Sequence, residues 1–133
     1  MKIAAIDIGL KRIGVALCLQ SDIVTPLNAV LRKNRNQAAR DIDELLHEWK
    51  IDILVVGLPL EGESANDMQK RIKHFVSLLN FSGETIFVAE DFSSYEAKEK
   101  MKGVTKQKRD GKIDSLSATI ILERYLMSKI SLK

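Results

Sequence analysis

The stretch Lys2-Ile3-Ala4-Ala5-Ile6-Asp7-Ile8-Gly9-Leu10-Lys11-Arg12-Ile13-Gly14-Val15-Ala16-Leu17-Cys18-Leu19 decides the architecture. Residues 2–8 read as an apolar β-type run that contains one carboxylate, Asp7. Residues 9–12 make a short turn, and residues 13–19 are a second strand. So short a connection implies an antiparallel hairpin. Residues 24–31 extend the meander as a third strand. The period then changes, because Ala38, Ile42, Leu45 and Trp49 recur at helical spacing between about residues 36 and 50. Residues 51–57 form a fourth strand, apolar on both faces apart from Asp52, as expected of a central parallel strand. Ser64 can cap a helix whose inner stripe is Met68, Ile72, Phe75 and Leu79. Residues 85–89 are a fifth strand, and Ser93 and Glu96 have capping-box spacing for a helix to about Met101. A last helix spans about residues 114–128, with Ala118, Ile121, Leu122 and Tyr125 inward.

The order β-β-β-α-β-α-β-α-α predicts an α/β fold. It has a mixed five-stranded sheet, three antiparallel strands followed by parallel ones, with helices on both faces. Right-handed crossovers place the fourth strand beside the first. Functional sites in such sheets gather at the carboxyl ends of the central strands.

With 133 residues, the chain is expected to form a single domain over 1–133. A hydrophobic share of 45% argues against wholesale disorder. No apolar run approaches the roughly 20 residues of a membrane helix, so no membrane partner is expected. Asp7, Lys11 and Arg12 interrupt any signal-peptide core. A lone cysteine, Cys18, excludes an internal disulfide and a cysteine-cluster zinc site. With His47 and His74 the only histidines, a bound metal should be a hard cation held by oxygen. A reducing, cytoplasmic compartment follows as the default.

The net charge is only +3, but its distribution is uneven. Between Lys98 and Lys112 seven basic residues, among them Lys106, Lys108, Arg109 and Lys112, face only Glu99 and Asp110. A basic segment on a nearly balanced chain predicts a polyanionic partner; its alternative is a solvated loop.

Three carboxylates are expected to converge on one edge of the sheet. Asp7 lies near the end of an apolar strand, where desolvating it is costly without compensation. Glu90 follows the apolar run of the fifth strand. Asp114 is four residues before Ala118 and seven before Ile121, at the start of the last helix on its inner side. Gathered at one sheet edge they would repel, and Mg²⁺ or Mn²⁺ would remove the repulsion. Each also has a structural role open to it: Asp114 as an N-cap, Glu90 as a rim charge paired with a lysine, Asp7 as an acceptor for the residue 9–12 turn. The other reactive side chains read as structural. Cys18 sits in an apolar strand, His47 on the polar side of its helix, His74 beside an inner stripe, and Trp49 in the core. Ser93 and Ser94 suit helix capping.

Four motifs resemble one family. Asp7-Ile8-Gly9-Leu10-Lys11-Arg12-Ile13-Gly14-Val15-Ala16 is similar to the D-x-G-x-K-R-I-G-V-A opening of the YqgF family, described as pre-16S rRNA nucleases and as Holliday-junction-resolvase-like proteins. Val55-Val56-Gly57-Leu58-Pro59-Leu60 resembles its V-V-G-L-P-L, and Ile113-Asp114-Ser115-Leu116-Ser117-Ala118 its I-D-x-x-A-A. Glu90 takes the place of the Glu in its D-E-R-L-T-T. The resemblance runs over essentially the whole chain and implies an RNase H-like nuclease fold, with Asp7, Glu90 and Asp114 as the catalytic and metal-holding set. Three departures stand out. Ala89 replaces an Asp, Asp91 replaces an Arg, and the loop after Leu60 is shorter than the family's and lacks its Asn.

The implied activity is metal-assisted phosphodiester hydrolysis in 5′-end maturation of pre-16S rRNA during ribosome biogenesis. The substrate would be structured or single-stranded RNA, with a pre-ribosomal particle as partner. Lys11, Arg12, Lys106, Lys108, Arg109 and Lys112 would contact phosphates without reading bases. Three other readings remain. One is a resolvase-like DNA endonuclease acting on junctions. Another is a nucleic-acid-binding module weak in catalysis, which Asp91 keeps open. The third is an actin-like nucleotide-binding domain, for which 133 residues supply one of the two domains needed and no phosphate-binding G-x-x-x-x-G-K-[ST] loop.

Overall fold

The computed structural model describes residues 1–20, 23–60, 62, 64–89 and 115–131. Five strands, β1 (Ile3–Ile8), β2 (Arg12–Cys18), β3 (Thr25–Leu31), β4 (Ile53–Leu58) and β5 (Glu84–Ala89), form one sheet in the order β3-β2-β1-β4-β5. β1 is antiparallel to β2, and β2 to β3, whereas β1–β4 and β4–β5 are parallel. The expected placement of the fourth strand beside the first is therefore observed. β4 is buried along its whole length, because α1 (Arg35–Glu48) and α2 (Ala65–Ser77) cover one face and α3 (Leu116–Ser131) the other. Asp52 stays outside the strand, where its carboxylate accepts the Lys2 backbone N–H at 2.8 Å.

Strand alternation divides the core in two. Ala4, Ile6 and Ile8 of β1 pack with Val15, Leu54 and Val56 under α1 and α2, around Ile42, Ile72 and Phe75. Ile3 and Ala5 point the other way, with Ala16, Cys18 and Val55, against Ala118, Ile121, Leu122 and Tyr125 of α3. The inner residues expected for the last helix are thus all buried.

The α1 stripe is shifted from the expected one. Ala38, Ala39, Ile42 and Leu46 are buried, while Leu45 and Trp49 pack only at the rim. The helix ends earlier than its pattern implied. Lys50 takes a left-handed φ of 53°, and the Ile51 and Lys50 N–H groups donate to the Leu46 and His47 carbonyls, a Schellman closure. A lysine rather than a glycine occupies the left-handed position, so no residue type announced the stop. Trp49, at the C-cap, is turned toward the edge. Ser64 stands at the N-cap of α2 but makes no side-chain capping bond there. Leu79 packs on the core from beyond the end of that helix, and His74 is exposed. The helix expected from Ser93 to Met101 and the basic segment from Lys98 to Lys112 lie outside the described residues.

Candidate functional site

Asp7 is the penultimate residue of the central strand. Ile3 and Ala5 face α3, so Asp7, two residues further on, belongs to that face. Its cross-strand partner is Gly14, which has no side chain to cover it, and Asp7 is left half-buried. The adjoining turn closes without it. The Gly9 N–H donates to the Arg12 carbonyl at 3.0 Å, and the Arg32 N–H donates to the Lys11 carbonyl at 2.8 Å. Among the described residues no hydrogen bond or ion pair engages the Asp7 carboxylate. The turn-acceptor role open to Asp7 in the sequence is therefore not the arrangement adopted.

Asp7, Lys11 and Arg12 line one open cleft of about 610 Å³, together with Gly9, Gly14 and Leu31. Lys11 and Arg12 are exposed at the start of β2, and Arg12 is held in register opposite Leu31. A half-buried carboxylate that shares its cleft with two exposed cations can take a hard cation while the cations hold phosphate oxygens. The structure thus brings together Asp7, Lys11 and Arg12. Glu90, Asp114, Lys106, Lys108, Arg109 and Lys112 lie outside the described residues. Among the described residues no three His, Cys, Asp or Glu side chains gather in one place. Cys18 is a buried thiol that forms no disulfide, and His47 is exposed on its helix.

Ser115 has a part in the site's support that sequence reasoning did not assign. It is fully buried. Its hydroxyl accepts the Val15 N–H at 2.9 Å and donates to the Leu27 carbonyl at 2.6 Å. The β2–β3 register shifts between Ile13 and Val15, and one hydroxyl fills the irregular ladder. The only signal in the sequence was a small hydroxyl next to Asp114; the partners are 100 and 88 residues away.

The sequence profile of the RuvX family, described as a Holliday junction resolvase, matches residues 1–128. A relative from a Sulfurovum species, named as a candidate pre-16S rRNA nuclease, is 58% identical over 95% of this chain and 98% of its own length. Relatives with the same name from Sulfurimonas denitrificans and Helicobacter hepaticus are 54% and 50% identical, each over 97% of this chain and over 99% and 97% of their own lengths. Among solved structures, Thermus thermophilus RuvC in complex with a Holliday junction substrate superposes with a TM-score of 0.62 at 13% identity, covering 98% of this chain and 96% of that one. The fowlpox virus Holliday junction resolvase does so at 0.55 and 14%, covering 97% and 99%. At such identities the likeness is one of fold, and it agrees with the mixed sheet described above. With a profile match from the first strand almost to the last residue, and relatives at half identity or more over nearly their full lengths, the chain belongs to the RuvX family, the YqgF family of the sequence motifs.

Proposed function

We propose that this protein is a metal-dependent nuclease that hydrolyses phosphodiester bonds in the 5′-end maturation of pre-16S rRNA. The observation that carries this reading is Asp7: a half-buried carboxylate at the carboxyl end of the central strand, without a partner among the described residues, in a cleft shared with Lys11 and Arg12. Membership of the RuvX family and the names of the relatives support the reaction class and the substrate. A half-buried oxygen donor with no partner among the described residues fits a hard divalent cation. Asp7, Glu90 and Asp114 would hold Mg²⁺ or Mn²⁺, which when bound supplies water activation and charge stabilisation at the leaving oxygen.

The rest is work for the chain's own side chains. Lys11 and Arg12 hold the phosphates flanking the scissile one, and Lys106, Lys108, Arg109 and Lys112 grip the backbone without reading bases. Substrate choice then follows RNA shape rather than sequence. The protein acts as one domain over residues 1–133, in the cytoplasm, on RNA or a pre-ribosomal particle. No helix among the described residues is long and apolar enough to cross a membrane.

The family's description favours one second reading, cleavage of four-way DNA junctions. Incubation with precursor small-subunit rRNA ends, single-stranded RNA and four-way DNA junctions, each with Mg²⁺, Mn²⁺ or EDTA, separates the two. Cleavage of the rRNA ends that EDTA abolishes is the expected result. Cleavage confined to junctions selects the resolvase reading, and binding without cleavage in every arm selects a binding module.

A further inference from the structure

A second cleft, of about 190 Å³, opens on the other side of the Gly9–Leu10 turn from Asp7, against α1 and α2. Three guanidinium groups, Arg32, Arg35 and Arg71, line it, and among the described residues no carboxylate does. Arg32 is fastened: its Nη1 donates to the Gly9 carbonyl at 3.0 Å, and its guanidinium lies 5.5 Å from the centre of the Phe75 ring. Arg35 is braced by His74, with Nη1 3.3 Å from Nδ1. Each arginine carries five donors, and these bonds leave most of them uncommitted. Among the described residues no ion pair neutralises the three. Arg35 is the first residue of α1, whose first turn holds no acidic side chain although that end of a helix ordinarily favours one. Burial, with Arg35 and Arg71 close by, holds the Arg32 pKa below the ordinary guanidinium value. Like charges held together in a recess are stabilised by an anion placed between them.

We propose that this arginine cleft binds a phosphate of the substrate's nucleic-acid backbone, with Arg35 and Arg71 as its ligands and Arg32 as the fixed charge beneath them. Gly9 and Leu10 line both this cleft and the Asp7 cleft, so they form the ridge between the two. A strand crossing that ridge has one phosphate near Lys11 and Arg12 and a neighbouring one among the arginines. Exposed Leu10 lies beneath the nucleoside between them. The Arg32 bond to the Gly9 carbonyl ties the second cleft to the turn that follows Asp7. Arg71 belongs to α2 and meets Arg32 and Arg35 only through the fold. The identity of the ligand as nucleic acid rests on the nuclease reading; the anion site itself does not.

The test is the affinity of the full chain for a single-stranded RNA oligonucleotide, measured by fluorescence anisotropy in EDTA over a range of salt. Arg35→Ala/Arg71→Ala should weaken binding and reduce the magnitude of the log K against log salt slope by about 0.7 for each phosphate that the protein no longer neutralises. Lys70→Ala/Lys73→Ala removes the same charge from exposed positions of α2 and should keep the wild-type slope. A wild-type slope in the arginine variant, or an equal fall in the lysine control, overturns the site. Oligonucleotides with 5′-phosphate and 5′-hydroxyl ends identify the source. Weakening seen with both marks an internal phosphodiester, and weakening confined to the phosphorylated end marks a terminal phosphate. If the wild type neither binds nor cleaves RNA, the nuclease reading fails, and inorganic phosphate becomes the probe. A thermal midpoint that phosphate raises over chloride at equal ionic strength in the wild type, but not in the arginine variant, then sustains the anion site, and no difference removes it.

Discussion

At Gly9 a Cβ would stand 2.6 Å from the Arg12 carbonyl oxygen, the same oxygen that accepts the Gly9 N–H. The φ angle does not demand glycine; the closeness of the turn does. Gly9→Ala should therefore push Arg12 away and loosen the turn between the two clefts. Forced overpacking of this kind costs about 1–3 kcal/mol. Denaturant unfolding should show that loss with an unchanged m-value, and wild-type stability would mean that the turn yields freely. Two residues earlier, Asp7→Asn removes a charge while keeping the shape. Hydrolysis should be abolished, and the thermal midpoint should hold or rise, because a half-buried charge without a partner among the described residues disappears. Turnover and midpoint are to be measured on the same preparation; wild-type turnover in a folded mutant takes Asp7 out of the mechanism.

Among the elements, α3 and the β2–β3 pair are locked by one hydroxyl. Ser115→Ala would leave the buried Val15 N–H and the part-buried Leu27 carbonyl without that partner. An unsatisfied buried polar group costs about 1–3 kcal/mol. The mutant should lose at least that much stability by denaturant unfolding. It should also lose activity beyond its loss of fold, because Ser115 follows Asp114 directly in the chain. Undiminished stability would show that another donor and acceptor repair the irregular ladder.

Over the whole molecule, the sheet carries helices on both faces, and Asp7 belongs to the α3 face while the arginine cleft lies against α1 and α2. A substrate engaging both clefts must therefore lie across the end of the sheet rather than along one face of it. Cations gathered by the carboxylates should stabilise the folded chain by mass action, about 2.7 kcal/mol at a hundredfold excess over Kd. Titration of Mg²⁺ or Mn²⁺ should raise the thermal midpoint of the wild type and leave Asp7→Asn/Asp114→Asn unmoved. An equal rise in the double mutant would put the cation elsewhere.

The hairpin, the buried fourth strand and the inner residues of α3 were legible in the chain because each rests on local information: period two, an unbroken apolar run, period three to four. Asp7 with Lys11 and Arg12 was legible for the same reason, since one tight turn holds them together. The end of α1 was not, because a lysine rather than a glycine adopts the left-handed φ that stops it. Nor was the role of Ser115, whose partners are set by a register shift in strands far away in the chain. Arg32 and Arg35 are three residues apart in the chain, whereas Arg71 belongs to another helix. Their meeting in one cleft depends on how α1 and α2 pack on the sheet. Local pattern determined which residues form the strands and helices, because side-chain period and turn length are properties of neighbours. Only the packing of distant elements decided which charges share a recess, because that distance is measured through space and not along the chain.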